Sequence, residues 1–224
     1  MSELHFKPAS VILSAPVWNI LPLAGRCVLV IEQRDDTHRL VSFSAFDFEN
    51  QRFLWRDVVL LEKWWVNLVG VTHDHVVLKV FESTENPDMT SLQLLSVEDG
   101  EVVDYSLQQN DWLHTNDSLQ PFQYLDGEPD FETVKIFLKN KLEIAPRLGI
   151  EYLEYAGCII ISYYTGHPAA FVNQLAIFNS HGECIYEEEI GTNLKGIGVN
   201  TFFIAFSTLF FVKNRTELVT FRIV

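Results

Sequence analysis

Residues Ser91 to Tyr105 read SLQLLSVEDGEVVDY, which is an alternating apolar segment, an Asp99-Gly100 turn and a second apolar segment. Asp-Gly between alternating segments is typical of a tight β-hairpin, because a type I′ turn needs a positive φ at both central residues. Two other stretches have the same order, Leu40 to Arg56 (LVSFSAFDFENQRFLWR) and Asn173 to Tyr186 (NQLAIFNSHGECIY). We therefore predict an all-β protein built mainly from antiparallel hairpins.

The spacing of the hairpin turns predicts a repeat. The turns near Asn50 and Gly100 are one unit of about 50 residues apart, and the interval to Gly182 has room for two units of about 41, whereas four-stranded propeller blades repeat every ~40–50 residues. We expect a single domain over residues 1–224, with propeller-like repeats of about four to five blades, irregular or incomplete.

One hairpin carries a resemblance to known blades. The segment Glu49 to Trp55 (ENQRFLW), a polar turn followed by an aromatic strand, resembles the strand pair of WD-repeat and quinoprotein propeller blades. This resemblance extends over Arg26 to Val224. The whole sequence also resembles a little-studied bacterial family that has no assigned function. The resemblance implies a blade-repeat fold and assigns no site residue.

Residues Pro129 to Leu142 (PDFETVKIFLKNKL) interrupt the β pattern. Phe131 and Val134 recur at helical spacing, and Asp130 is the expected N-cap. The apolar residues of the segment also alternate, and Asn140-Lys141 fits a hairpin turn, so a hairpin is the alternative. We favour a helix near 130–142, inserted in place of part of a blade.

The two ends of the chain are expected to meet. Val11 to Leu13 and Val17 to Ile20 are short apolar pieces, and the last unit, which starts with a strand-like run from Thr201 to Val212, is short of a full blade. In closed propellers a terminal strand often completes the final blade and removes a sheet edge. We predict that the N-terminal strand does so here.

The composition restricts the class of partner. The chain has 224 residues, 16 Lys and Arg against 30 Asp and Glu, and a net charge of −14. Nucleic acids and anionic membrane surfaces attract cations, so neither is an expected partner. Cys27, Cys158 and Cys184 include no C-x-x-C pair, and the N-terminus has no signal-peptide pattern. We expect a cytoplasmic protein with free thiols, in which Cys158 is buried.

Two polar clusters are candidate sites. His73, Asp74 and His75 could hold a metal, because a one-residue spacing on a strand places both histidines on one face. A polar hairpin turn is the favoured interpretation. Asp35, Asp36 and His38 similarly favour an exposed loop over an acid–base site. Neither catalytic residues nor cofactors are predicted.

Aromatic residues supply the binding candidates. Trp64 and Trp65 are of a type common in binding hot spots, and on a strand one would point inward and the other outward, but core packing of both is the favoured interpretation. Tyr163, Tyr164 and His167 are predicted in a loop rich in hydrogen-bonding groups. The other tryptophans, Trp18, Trp55 and Trp112, are predicted in the core.

These observations predict a non-enzymatic binding module that uses loops at one end of a propeller-like scaffold to hold an unknown protein or small ligand. The predicted surface residues are Trp64, Trp65, Tyr163, Tyr164 and His167. One alternative is a metal-dependent hydrolase with His73, Asp74 and His75 as ligands. Another is a structural subunit in which the apolar run from Thr201 to Val212 is an interface strand.

Overall fold

A computed structural model describes residues 8–23, 25–61, 64–104 and 118–223. The described elements are almost all strands, and every strand pair is antiparallel. In chain order they are β1 (Ala9–Ile12), β2 (Val17–Leu23), β3 (Val28–Asp35), β4 (Leu40–Asp47), β5 (Arg52–Val58), β6 (Val66–Val71), β7 (His75–Phe81), β8 (Thr90–Ser96), β9 (Val102–Val103), β10 (Phe122–Leu125), α1 (Pro129–Leu142), β11 (Arg147–Tyr155), β12 (Cys158–His167), β13 (Ala170–Phe178), β14 (Cys184–Leu194), β15 (Phe202–Ala205), β16 (Thr208–Lys213) and β17 (Glu217–Arg222). The predicted all-β class is confirmed.

The chain divides into two compact units, each with two sheets. The first unit is Leu13–Asp117, and its sheets have the orders β2-β3-β4-β5 and β6-β7-β8-β9. The second unit is Ser118–Val224 together with Met1–Ile12, and its sheets have the orders β10-β11-β12-β13-β14 and β1-β17-β16-β15. Within each sheet, and apart from β1, neighbouring strands are consecutive in the chain, as short hairpin connections dictate.

Strand β1 completes the last sheet. It pairs with β17 from Ala9 opposite Thr220 to Ile12 opposite Glu217. The prediction that an N-terminal strand completes the final strand group is therefore confirmed.

Predicted hairpin turns are confirmed in both units. Ala156 and Gly157 join β11 to β12 with φ values of 49° and 78°, the two positive values of a type I′ turn. His73 and Asp74 join β6 to β7. Gly100, with φ of 74°, lies in the turn between β8 and β9, but Asp99 does not have a positive φ, so the expected type I′ geometry is wrong at this turn.

The predicted helix is confirmed over Pro129–Leu142, but its N-cap is Glu128 and the Asp130 expectation is wrong. Pro129 starts the helix at a position where a missing N–H costs no hydrogen bond. The carboxylate of Glu128 accepts the backbone N–H of Leu125 at 2.8 Å, outside the helix. Because α1 lies between β10 and β11 of a five-stranded sheet, it lengthens a connection and does not replace part of a sheet.

The described residues form four sheets, three of four strands and one of five. The interval between Gly100 and Gly182, expected to hold two units, is largely taken up by α1 and by long strands such as β11, with 9 residues, and β12, with 10. The run from Thr201 to Val212 is not one strand. It is the β15–β16 hairpin, which turns at Phe206 and Ser207 with φ values of 51° and 54°.

Each unit has its own apolar core. In the first unit one buried cluster joins side chains of both sheets, among them Phe43, Trp55 and Leu95. In the second unit one cluster lies between the two sheets, and another lies between α1 and the opposite face of the five-stranded sheet. No helix among the described residues is long and apolar enough to cross a membrane.

Both units contain a polar pair at the same place in the fold, which we call the amide–carboxylate pair. In the first unit Asn19 on β2 is opposite Glu32 on β3, and in the second Gln123 on β10 is opposite Glu151 on β11. Asn19 Nδ2 donates to Leu68 O at 3.2 Å, and Glu32 accepts the Leu68 N–H at 2.8 Å. The two side chains thus form hydrogen bonds with both the carbonyl and the N–H of Leu68, in the first strand of the next sheet.

The second unit repeats this arrangement. Gln123 Nε2 donates to Gly198 O at 2.8 Å, and Glu151 accepts the Thr201 N–H at 2.8 Å and the Thr201 hydroxyl at 2.5 Å. Only 1% of Glu32 and 1% of Glu151 is exposed. Since a buried backbone group without a partner is costly, each pair stabilises the junction between the two sheets of its unit.

Candidate functional site

Arg34 is the centre of the candidate site, and the amide–carboxylate pair of the first unit holds it in place. It follows Glu32 by two residues on β3, so both side chains leave the same face of the strand. Arg34 Nε donates to Glu32 Oε1 at 2.7 Å, and a terminal nitrogen donates to Val66 O at 2.8 Å. Since the planar guanidinium is fixed from two directions, its faces are available for stacking.

Two tryptophans stack on this guanidinium. Its carbon lies 5.0 Å from the ring centroid of Trp18 and 5.5 Å from that of Trp64. Arg39, in the turn after β3, lies 4.8 Å from the Trp64 centroid. The four side chains alternate in the order Arg39, Trp64, Arg34, Trp18, and we call them the tryptophan–arginine ladder. Each such contact contributes about 0.5–2 kcal/mol, depending on how far the cation is desolvated.

The ladder ends on an exposed ring. Trp18 was predicted in the core, but 63% of it is exposed, because it is the extra residue in an irregularity between Val17 and Asn19 of β2. Trp55 is buried as predicted, at 7% exposure. The prediction for Trp112 lies outside the described residues.

Trp64 and Trp65 precede β6 and have different surroundings. Trp64 is half-buried and packs against the core of the first unit, whereas Trp65 is 44% exposed. The favoured interpretation, core packing of both, is therefore wrong for Trp65 and holds only in part for Trp64. The backbone carbonyl of Trp65 accepts the N–H of Phe81 at 2.9 Å, which ties the segment to the end of β7.

The second unit has the carboxylate without the ladder. Glu151 corresponds to Glu32 in the amide–carboxylate pair, but the residue two places later is Leu153, which is 8% exposed and part of the core. The second junction therefore forms with a glutamate and without an arginine two residues later. Arg34 and its stacked rings are an addition specific to the first unit, which favours a role other than folding.

Electrostatics at the ladder follow from burial. Desolvation of Glu32 raises the pKa of its carboxyl, and the Leu68 N–H and the Arg34 guanidinium act in the opposite direction. Arg34 in turn has a carboxylate partner, so its charge is compensated where it stacks on the rings. Arg39 is exposed and forms no ion pair with any described residue.

The tyrosine candidates are not in a surface loop, and that prediction is wrong. Both belong to β12, with Tyr163 at 0% and Tyr164 at 1% exposure. Tyr163 donates to Glu187 Oε1 at 2.6 Å, and Tyr164 accepts the Gly198 N–H at 2.7 Å. Alternating strand geometry sends them to opposite faces of the sheet, where both serve the fold. His167 is exposed at the end of β12.

The polar clusters are turns, as favoured. His73 and Asp74 are 70% and 68% exposed, and the described ranges contain no group of three His, Cys, Asp or Glu side chains that could hold a metal. Asp35 accepts the backbone N–H groups of Thr37 and His38 at 2.9 and 3.0 Å, so its carboxylate orders the β3–β4 turn. Cys158 is buried as predicted, and burial raises the pKa of its thiol.

Sequence reasoning missed Trp18, Arg34 and Arg39. A local signal existed for Arg34, because the i, i+2 spacing of Glu32 and Arg34 puts opposite charges on one face of a strand. In the fold the pair places a partly buried cation beside a buried anion. The stacked tryptophans come from β2 and from the segment before β6, and no local pattern links them to Arg34.

Comparisons with known proteins add one match. Residues 24–103 match a family model described as a domain of unknown function, DUF4905. The match lies within the first unit and includes Arg34, Arg39, Trp64 and Trp65, whereas Trp18 precedes it. No curated protein matches the chain.

Proposed function

We propose that this protein is a non-enzymatic binding module whose ladder takes a cationic side chain, arginine or lysine, from a basic segment of a partner protein. The observation that carries the proposal is the exposed ring of Trp18, which has Arg34 on it at 5.0 Å. The ladder alternates cations and rings and ends on a ring. If the alternation continues, a cation binds on the free side of the Trp18 ring.

Charge supports a basic partner over an acidic one. The net charge of −14 draws cations toward the protein and raises their encounter rate. Glu32 compensates the charge of Arg34, which lessens repulsion between that guanidinium and a cation on the other side of the Trp18 ring. Tryptophan is the best of the aromatic side chains for holding a cation by its face.

A peptide series tests this proposal. Three fluorescent peptides of equal length, carrying arginine, its uncharged isostere citrulline, or glutamate at the same positions, are titrated with the protein at physiological ionic strength. We expect binding of the arginine peptide, with the other two bound at least about tenfold more weakly. Equal binding of the citrulline peptide, or tighter binding of the glutamate peptide, would refute a cation-selective surface.

The other predictions remain proposals with weaker support. The metal-dependent hydrolase would need a ligand set beyond His73, Asp74 and His75, and metal analysis of tag-free protein tests it. The four antiparallel sheets, each close to the four strands of a propeller blade, support the blade-repeat proposal. Cys27, Cys158 and Cys184 are all free thiols, in keeping with a reducing cytoplasm.

A further inference from the structure

A groove in the second unit lies between α1 and the first strands of the five-stranded sheet. Its volume is about 270 Å³, and its walls include the rings of Tyr124, Tyr152 and Phe137. Asp130 and Thr133, two polar residues of the first turns of α1, also line the groove. This volume is just below the range typical of drug-sized ligands, so the groove suits a smaller molecule.

The aromatic wall is part of the core at one end and open at the other. Phe137 packs edge-on against Phe178, with 4.9 Å between ring centroids, and Tyr124 and Tyr152 are 6.4 Å apart. Phe122, 68% exposed, is directly opposite Tyr152 in the β10–β11 pair and extends the aromatic surface beyond the groove. The rings are held by the sheet and the helix, so the site is largely preformed.

We infer that this groove binds a small organic cation, an ammonium group on a short apolar body. Aromatic faces carry negative potential and hold ammonium groups, and a carboxylate at the rim adds a direct charge partner. Asp130 is that partner, since it is exposed and has no ion pair among the described residues. The apolar side chains Val134 and Ile159 complete the lining and take the body of the ligand.

Other charges near the groove fit the same occupant. The hydroxyl of Tyr152 donates to the carboxylate of Glu154, so its proton is directed away from an incoming ligand. The N-terminal end of α1 carries about half a positive charge, which would favour an anion. Asp130 in the first turn places a full negative charge there, which outweighs it, whereas the charge of Glu132 is paired with Lys135.

The test uses choline and its uncharged carbon isostere, 3,3-dimethylbutan-1-ol. These two molecules differ in charge and hardly in shape. Binding to the full chain is followed by shifts of the tyrosine ring signals in NMR spectra. We expect choline to shift the signals of Tyr124 and Tyr152 in a saturable way and the isostere to leave them in place. Equal responses to both molecules, or no saturable response to choline, would overturn the proposal.

Two matched variants locate the charge that matters. Asp130→Asn removes the carboxylate at the groove, and Glu132→Gln removes one from the same turn that pairs with Lys135 at 2.9 Å and does not line the groove. We expect Asp130→Asn to raise the choline concentration for half-saturation by about threefold or more, and Glu132→Gln to change it much less. Equal effects would mean that only the net charge matters, and they would contradict a site at Asp130.

Discussion

Glu151 accepts the backbone N–H of Thr201 at 2.8 Å, joining the second strand of one sheet to the residue that precedes the first strand of the next. In the first unit Glu32 accepts the backbone N–H of Leu68, also at 2.8 Å, and Leu68 lies within the first strand of the next sheet. In both cases an amide on the preceding strand donates to a backbone carbonyl of the same segment. This shared arrangement makes the two units variants of one two-sheet design.

Replacing Glu151 by glutamine should destabilise the protein. Three donors converge on its carboxylate, from Asn200 and Thr201, and glutamine would turn an N–H₂ toward one of them. We expect the free energy of unfolding, measured by urea denaturation at neutral pH, to fall by about 2–4 kcal/mol. Glu154→Gln, an exposed position on the same strand, should cost less than about 0.5 kcal/mol. Equal losses would contradict the role assigned to the junction.

The contact between Gly100 and Trp55 can be isolated with a matched glycine. A Cβ at Gly100 would lie 2.7 Å from Trp55 Cδ2, whereas Gly25 has the same φ of +74° and nothing within 4 Å. Gly25→Ala should cost about 1 kcal/mol for the backbone alone. Gly100→Ala should cost about 1–3 kcal/mol more, because the buried indole must move. Similar thermal and urea unfolding of the two variants would show that the contact is not tight.

Alkaline pH should weaken the second unit through Tyr186. Burial, and after it the neighbouring Glu188 carboxylate, raises the pKa of Tyr186 from 10.0 to about 12. Between these values the folded state keeps a proton that the unfolded state loses, so the free energy of unfolding falls as the pH rises. Because Phe has no proton to lose, Tyr186→Phe should lose less stability than the wild type over this pH range. The difference should be about 1 kcal/mol, since solvent screens part of the effect at this half-buried ring. Parallel pH profiles for wild type and variant would contradict the shift.

Deleting residues 1–12 should destabilise the second unit, because β17 then loses its neighbour along four residue pairs. We expect the free energy of unfolding to fall by about 2–4 kcal/mol, since backbone groups of β17 lose their partners. Adding a synthetic peptide of residues 1–12 should restore stability, and a scrambled peptide should not. Unchanged unfolding after the deletion would mean that the β1–β17 pairing contributes nothing.

Features that depend on residues close together in the sequence are predictable here, and features that depend on distant residues are not. Ala156-Gly157 and the Pro129–Leu142 helix follow from local turn chemistry and local periodicity, and both are where the pattern puts them. The sequence does not place Tyr163 and Tyr164 correctly, because side chains that form hydrogen bonds are common in loops and also occur inside sheets. Their hydroxyls are in fact satisfied by distant partners, Glu187 and Gly198, inside the sheet structure.

The candidate site was only partly predictable for the same reason. Trp64 and Trp65 were identified by residue type alone. Trp18 was assigned to the core because tryptophan usually is buried, and the strand irregularity that turns it outward leaves no sequence signal. The ladder depends on Arg34 meeting rings from two other segments, which only the folded chain brings together.

The most direct test of the binding surface is the affinity of the arginine peptide for Trp18→Ala compared with wild type. The variant keeps the net charge of −14, so non-specific attraction is unchanged. Met89→Ala, which removes an exposed apolar side chain elsewhere in the first unit, is the control. We predict at least about tenfold weaker binding by Trp18→Ala and unchanged binding by Met89→Ala. Equal affinity of Trp18→Ala and wild type would contradict the account.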